Sequence, residues 1–506
     1  MPAAGRTVTR VWPDEPDVAV GLERPRDDLV LERQLPDGTF EQSEGPFLQY
    51  ERRLERSDGT FVETTRYRIS IPWFGWLFGL PVRALVGRRW HQPHHHHAGP
   101  RTNLWWAPPD RLSERQIRVL GLLAAASMSS AFINTLFTQT VKFAADDFGI
   151  GNSGVGVAGS IVRAGIVLAL PAAVLADRIG RKRVVTIVAW AAPVITALGA
   201  LAPSFPVLVA TQAIGRPLGL ALDFLIAVVA AEEMPRNSRA YAVSVLAMAS
   251  GLGAGLAVFS LPLADIGESS WRYIYLVTLV WLAVALDIAR RLPETTRFER
   301  PHTIAPPLDR RRFGTLALVA LAANFFVAPA SFFGNSYLED ARGFSAAQIS
   351  WFTLSTATPA GIGLIIGGRI ADVRGRRHVL AVALPVATAL VVTSFSVNGV
   401  PMWFAAFGGG FIGAIAYPAL AVYRAELFPT GNRGRAAGLL TAAALLGGIG
   451  GLLLAGQLLD HGWPHGRVMG LLAIAQILVV ITVVMSFPET AHRELEDLNP
   501  EDAAFA

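Results

Sequence analysis

The sequence predicts an all-α polytopic membrane protein: twelve transmembrane helices as two parallel six-helix repeats, preceded by a small β-rich cytoplasmic extension. Three observations predict it. The 506 residues are 52% hydrophobic but only 16% charged, whereas a soluble chain of this size carries roughly a quarter charged residues. Beyond about Arg118, apolar stretches near the ~20 residues needed to cross a bilayer follow one another without pause. Three motifs then recur at an offset of 194 or 195 residues.

Residues 1–115 are polar and form the extension. Strand-like runs surround Asp37-Gly38 and Asp58-Gly59. Asp-Gly is a strong hairpin turn, so antiparallel hairpins are expected over about 28–70. The segment of about 71–90 crowds Trp73, Phe74, Trp76, Leu77, Phe78 and Leu80 between Pro72 and Pro81. It is short and carries Arg83, which predicts an interfacial anchor instead of a span. His91 and His94–His97 lack carboxylates at ligand spacing, so they read as a polar linker and no metal site is expected. Trp105 and Trp106 suit the aromatic belt ahead of the first span. Met1 to Val20 has no continuous apolar core, so the first span is expected to act as an uncleaved insertion signal.

The spans are placed at 118–143, 153–176, 184–202, 206–231, 240–263, 271–291, 313–337, 346–371, 379–397, 401–424, 435–458 and 467–487. They group into a six-helix half over 116–291, a basic linker over 292–312, a second half over 313–487 and a tail over 488–506. Five loops (177–183, 232–239, 290–312, 372–378, 424–435) hold 19 Lys and Arg, while the opposite loops offer only Lys142, Arg272, Arg342 and Arg467. Basic loops stay inside. These loops and both termini are therefore expected in the cytoplasm, with the protein in the plasma membrane.

The repeats sit in those loops. Ala176-Asp177-Arg178-Ile179-Gly180-Arg181-Lys182 matches Ala371-Asp372-Val373-Arg374-Gly375-Arg376-Arg377. Glu232 to Pro235 with Arg239 matches Glu426 to Pro429 with Arg433, and Pro293-Glu294-Thr295 matches Pro488-Glu489-Thr490. Motifs on one side of the membrane make the halves parallel repeats, related by an axis along the membrane normal.

These residues resemble the signature of the major facilitator superfamily, G-x-x-x-D-x-x-G-R-[RK] between the second and third helices. Gly368, Asp372, Gly375, Arg376 and Arg377 fit it fully, while Ala173 replaces the first glycine of the other copy. The E-x-x-P-x-x-x-R and PET sequences are similar to those of sugar and metabolite porters. The glutamine pair of sugar porters and the G-P-x-x-G-G of drug antiporters are absent, which leaves the subfamily open. The resemblance covers about 118–498. It implies alternating-access transport, and a cytoplasmic latch of Asp177, Arg181, Glu232 and Arg239 with Asp372, Arg376, Glu426 and Arg433.

Ionisable residues inside spans are costly and mark function. Arg163, Arg216 and Asp223 are the three, all in the first half. At 1.5 Å rise, Arg163 lies about 21 Å from Asp177 and Arg216 about 24 Å from Glu232, toward the extracellular side. Asp223 follows Arg216 by two turns, too far for a direct pair. An anionic group attracted by either arginine, with Asp223 as proton carrier, is the functional expectation; an internal charge network is the structural one. Asn134 and Thr138 share a face of the polar first span and suit a solute cavity.

The expected partners are a small-molecule solute, protons and the lipid bilayer. The solute is expected to be small, polar and anionic, carried by a monomer. Efflux of amphipathic compounds is the alternative, and a non-transporting sensor is an alternative of another class. With no cysteine, disulfides, thiolate metal sites and cysteine nucleophiles are excluded. The charge of +5 and pI near 9.8 follow from the basic loops, so no nucleic acid is invoked. No nucleotide loop, metal constellation or triad is present, which argues against an enzyme, a cofactor and ATP-driven pumping.

Overall fold

The computed structural model describes residues 5–57, 59–87, 111–235, 238–294, 309–428 and 433–490. The histidines at 91 and 94–97, Trp105 and Trp106, most of the 292–312 linker and the end of the tail lie outside them.

The extension is a five-stranded antiparallel sheet of β1 (Arg6–Pro13), β2 (Leu31–Gln34), β3 (Phe40–Glu44), β4 (Phe47–Ser57) and β5 (Thr60–Ile69), ordered β1-β5-β4-β3-β2. Gly38 and Gly59 sit at φ +82° and +72° in the two turns the Asp-Gly pairs predict. β1 was not anticipated: it pairs with β5 over its whole length, Arg6 opposite Tyr67 and Pro13 opposite Thr60. Arg52 is fully buried and forks onto Glu32, with Nε–Oε1 2.8 Å and Nη2–Oε2 2.7 Å. It also stacks on Phe40 at 3.9 Å. Such a paired buried charge fixes register more than it adds stability. α1 (Pro16–Glu23) follows β1, and α2 (Gly79–Val86) closes the Pro72–Phe78 turn.

The membrane portion opens with α3 (Glu114–Asp147), whose first turn has a capping box between Ser113 and Gln116. α4 (Asn152–Ala164), a 3₁₀ turn (Gly165–Ala169) and α5 (Leu170–Ile179) follow, then α6 (Arg181–Ala197), α7 (Phe205–Glu233), α8 (Arg239–Phe259), α9 (Trp271–Val277) and α10 (Leu282–Arg291). The second set comprises α11 (Arg310–Phe332), α12 (Gly334–Ser336), α13 (Ala346–Ala357), α14 (Ala360–Arg374), α15 (Arg376–Ser394), α16 (Gly399–Glu426), α17 (Arg433–Asp460), α18 (His465–Leu472) and α19 (Ile474–Ser486). Among the described residues, 11 helical stretches are long and apolar enough to cross a membrane. The stretch expected over 346–371 is split between α13 and α14 at Thr358-Pro359. Proline supplies no N–H to the ladder and clashes with the preceding turn. The stretch expected over 313–337 ends at Phe332, and a wider π turn (Tyr337–Ala341) follows it.

The packing is uneven along the bundle. One large core joins Phe132, Phe137 and Trp271 of the first set to Phe332, Tyr337 and Leu452 of the second. A second core, around Leu380, Tyr423 and Phe428, belongs to the second set alone. Those last residues lie at the end of the molecule that carries the repeated motifs. Among the described residues, the two sets thus share a core only at the opposite end. α3 starts at the motif face, where the Gln116 amide donates to the Glu233 carbonyl at 3.1 Å. The sheet therefore hangs on the motif face as well.

Candidate functional site

Two arginines meet between the faces because the backbones there touch. A Cβ on Gly165 would stand 2.5 Å from the Ala213 carbonyl and 3.2 Å from Pro217, so the end of α4 lies directly on α7. Ala213 and Pro217 flank Arg216, and Arg163 is two residues before Gly165. The two cations are therefore carried on this pair of touching backbones. Arg163 also reaches the second set: its Nη1 lies 3.2 Å from where a Cβ of Gly448 on α17 would be. Nε of Arg163 and both Nε and Nη1 of Arg216 are shut off from solvent without a hydrogen-bond partner. Leaving buried donors unpaired costs about 1–3 kcal/mol each, more for charged groups.

α3 supplies the neighbouring wall. Ser130 donates to the Gly219 carbonyl at 2.7 Å, and Asn134 donates to Ser130 at 3.2 Å. Asn134 Oδ1 is buried and unpaired, 3.0 Å from the position a Cβ would take on Gly219. Asp223 is half-buried beside Ser130, and no ion pair joins it to Arg216 among the described residues, as the two-turn spacing anticipates. Thr138 is buried one turn beyond Asn134 and forms no described link to the arginines.

The motif loops close within each set. Arg181 pairs with Glu232 through Nη2 at 2.9 Å and Nε at 3.0 Å. Glu294 accepts from the Lys182 amide at 3.1 Å, and Glu489 from the Arg376 and Arg377 amides at 2.9 and 3.1 Å. Each PET glutamate thus caps the helix that follows the motif glycine, where the macrodipole favours an anion. Gly180 and Gly375 stand at φ +100° and +94°. A Cβ on either would come within 2.8 or 2.6 Å of the capping carboxylate. Only glycine serves there. Arg376 also donates to Thr490 at 2.8 Å. The side chains of Asp177, Arg239, Asp372, Glu426 and Arg433 lie outside those described.

The opposite face is wired between the sets. Asp460, ending α17, accepts from the Asn152 and Ser153 amides that begin α4, both at 2.8 Å. Asp265, beyond α8, accepts from the Ala346 and Ala347 amides that begin α13, at 2.7 and 2.8 Å. The two aspartates are 195 residues apart and their targets 194. Lys142 at the end of α3 pairs with Asp146 and, at 2.8 Å, with Asp340 of the second set. Asn335 donates to the Gln139 carbonyl at 2.7 Å. Beside them Glu339 has one buried, unpaired oxygen. Burial pushes its carboxyl up to about 7; Lys142 opposes the shift, and Asp146, Asp340 and Asp265 add to it.

Neither crossed aspartate, nor the capping role of Glu294 and Glu489, follows from motif reading. The offset that finds the motifs also links Asp265 to Asp460, and extending the repeat search to the other loops would have found them.

A family model described as Major Facilitator Superfamily matches residues 122–334 and 314–504. The fosmidomycin resistance protein of Escherichia coli (strain K12) is 29% identical over 247 residues, which are 46% of this chain and 58% of that protein. The chain thus spans less than two thirds of that relative's length. Among solved structures, a nucleoside transporter superposes with TM-score 0.63 at 12% identity, over 73% of this chain and 100% of that one. The inward-open xylose transporter of E. coli gives 0.61 at 14%, over 76% and 99%. A D-xylose-proton symporter gives 0.63 at 17%, over 74% and 98%. At these identities the likeness is one of fold.

Proposed function

The chain belongs to the major facilitator superfamily and is a multi-pass membrane transporter, not an enzyme; on that premise we propose that it carries a small, polar, anionic organic solute. One observation carries the anionic character: Arg163 and Arg216 hold three buried guanidinium nitrogens with no acceptor. A carboxylate or phosphate oxygen supplies the missing acceptors and offsets the charge of the two cations. Asn134 and Thr138 form the polar wall of the same cavity, and Asp223 carries the proton that couples transport to a gradient.

In this reading the broken stretch of α13 and α14 is the twelfth crossing. The two sets are parallel six-helix repeats in a monomer, with both termini in the cytoplasm and the bundle in the plasma membrane. Asp177, Arg181, Glu232 and Arg239 latch onto Asp372, Arg376, Glu426 and Arg433 when the motif face closes. The Arg181–Glu232 pair within one set, with no core shared at that end among the described residues, supports a state in which the latch is parted. The interhelical network is then one arm of a two-state equilibrium, which a solute shifts only through differential affinity.

The test is flux. Purified protein is screened by thermal shift against mono- and dicarboxylates and sugar phosphates, and hits are assayed in proteoliposomes with and without a pH gradient. Gradient-driven uptake of an anion, lost in Arg216→Gln, is expected. Asp223→Asn should abolish the gradient-driven part and spare counterflow exchange; unchanged gradient-driven uptake removes the proton-carrier role. Transport of neutral sugars alone, unaffected at Arg216, contradicts the anionic reading. The resemblance to a resistance protein supports a second reading of the same cavity, export of amphipathic compounds, which inside-out vesicles distinguish by direction.

A further inference from the structure

A cavity lies where the N-terminal sheet meets the membrane portion, apart from Arg163 and Arg216. It encloses about 930 Å³ between the end of β5, the Pro72–Phe78 turn, the first residues of α3 and the last turns of α10. Four arginines line it, Arg68, Arg118, Arg290 and Arg291, against one carboxylate, Asp287. That carboxylate is engaged: Arg291 pairs with it at 2.9 Å and the Trp73 indole donates to it at 3.2 Å. Arg118 pairs with Glu114. Among the described residues Arg290 has no carboxylate partner.

Two further features of the lining call for acceptor oxygens. Ser70 is 4% exposed and lines it, yet its hydroxyl has no hydrogen-bond partner. Nε of Arg68 is buried and equally unpaired. A buried hydroxyl and a buried guanidinium nitrogen left open beside three other cations ask for an anion with several acceptor oxygens.

The position of the cavity says what kind of anion. α3 and α10 both reach the motif-face end of a membrane crossing here. Deeper along α10, Leu286 is 39% exposed and Ala283 also lines the cavity, so its wall passes from cationic to apolar toward the bilayer. Trp76 and Leu77 on the adjoining turn and Leu80 at the start of α2 are exposed at 72, 47 and 78%. Trp73 takes a left-handed backbone, φ +62°, rare for a bulky residue, and its bond to Asp287 ties this turn to α10. Exposed aromatics and leucines beside arginines at a span end fit the headgroup level of a bilayer.

We propose that this cavity binds the phosphodiester headgroup of an anionic phospholipid in the motif-face leaflet, its acyl chains running along α10. The lipid then ties the sheet to the first and sixth expected spans. Basic pockets beside membrane helices suit such headgroups.

The test uses the full chain in detergent and native mass spectrometry. Phosphatidylglycerol and phosphatidylcholine of equal chain length are titrated in parallel, with inorganic phosphate and glycerol phosphate as soluble competitors. Retention of phosphatidylglycerol at least fivefold above phosphatidylcholine is expected. The ratio should fall toward one in Arg290→Gln and in Arg68→Gln/Arg290→Gln, and hold in Arg311→Gln at the start of α11. Arg290 is exposed, so its single variant reports binding even if the double one folds poorly. Equal retention of the two lipids, or a ratio unmoved by Arg290→Gln, overturns the proposal. Displacement by soluble glycerol phosphate or inorganic phosphate at lipid concentrations overturns the lipid source and assigns the arginines to a free phosphate.

Discussion

The two faces of the bundle use the same chemistry in opposite ways. On each, carboxylates accept from the free amides at a helix start, and on each they come in pairs 195 residues apart. At the motif face Glu294 and Glu489 cap helices of their own set. At the other face Asp265 and Asp460 cap helices of the other set. In the transport cycle proposed above, this contrast marks where the molecule parts. Caps within a set can persist as the two sets move, whereas in that cycle crossed caps must break when their face opens.

Breaking the crossed caps has the largest expected effect. Each aspartate serves two backbone amides, and losing an N-cap costs about 0.5–2 kcal/mol. Asp265→Ala/Asp460→Ala should thus lower the ratio of closed to open molecules at that face by about tenfold or more. The chain has no native cysteine, so the maleimide reaction of a cysteine placed at Asn134 reports access from that side. It should accelerate by a similar factor, and by less in either single variant.

Titration of Glu339 has the next largest expected effect. Its carboxyl is held at about 7, above the ordinary 4.5. The closed face therefore binds more protons than the open or unfolded chain between those values. Closure is favoured below about 4.5 and weakens as pH rises through 7. Access to the Asn134 probe should rise between pH 5.5 and 8, and Glu339→Gln should flatten that profile. Lys142, Asp146, Asp340 and Asp265 remain in place in that variant.

A smaller effect is expected at the motif face. Gly180→Ala or Gly375→Ala forces a side chain into a conformation that costs about 1–3 kcal/mol and crowds the capping glutamate. Thermal unfolding should occur a few degrees lower, with the Asn134 probe unchanged from the opposite side. The smallest effect is predicted in the sheet. Arg33 and Glu41 form an exposed pair, worth about 0–1 kcal/mol, and Glu41→Gln should alter neither face.

Much of this was legible in the sequence. Hydropathy places the apolar stretches, the Asp-Gly pairs place two turns of the sheet, and the repeated motifs mark one face. β1 escaped because Arg6–Pro13 is mostly exposed and pairs only with a strand 47 or more residues away. The break at Thr358-Pro359 escaped because average hydropathy does not register a lost backbone hydrogen bond. Arg163, Arg216 and Asp223 were identified from the cost of burying charge. The meeting of the two arginines was not, because it depends on the contact of Gly165 with α7, which no span prediction contains. Asp265 and Asp460 belong to none of the repeated motifs; their role appears only when the helix starts of the other set lie beside them.

The most direct test is a pair of distances measured by pulsed electron spin resonance. One pair of labels spans the crossed-cap face, at Glu268 and His461, and the other spans the motif face, at Arg183 and Arg374. Native caps should give a short, narrow distribution at the first pair and a longer one at the second. In Asp265→Ala/Asp460→Ala the first should lengthen while the second shortens. Lengthening of both together, or no change in either, would contradict a molecule that opens one face by closing the other.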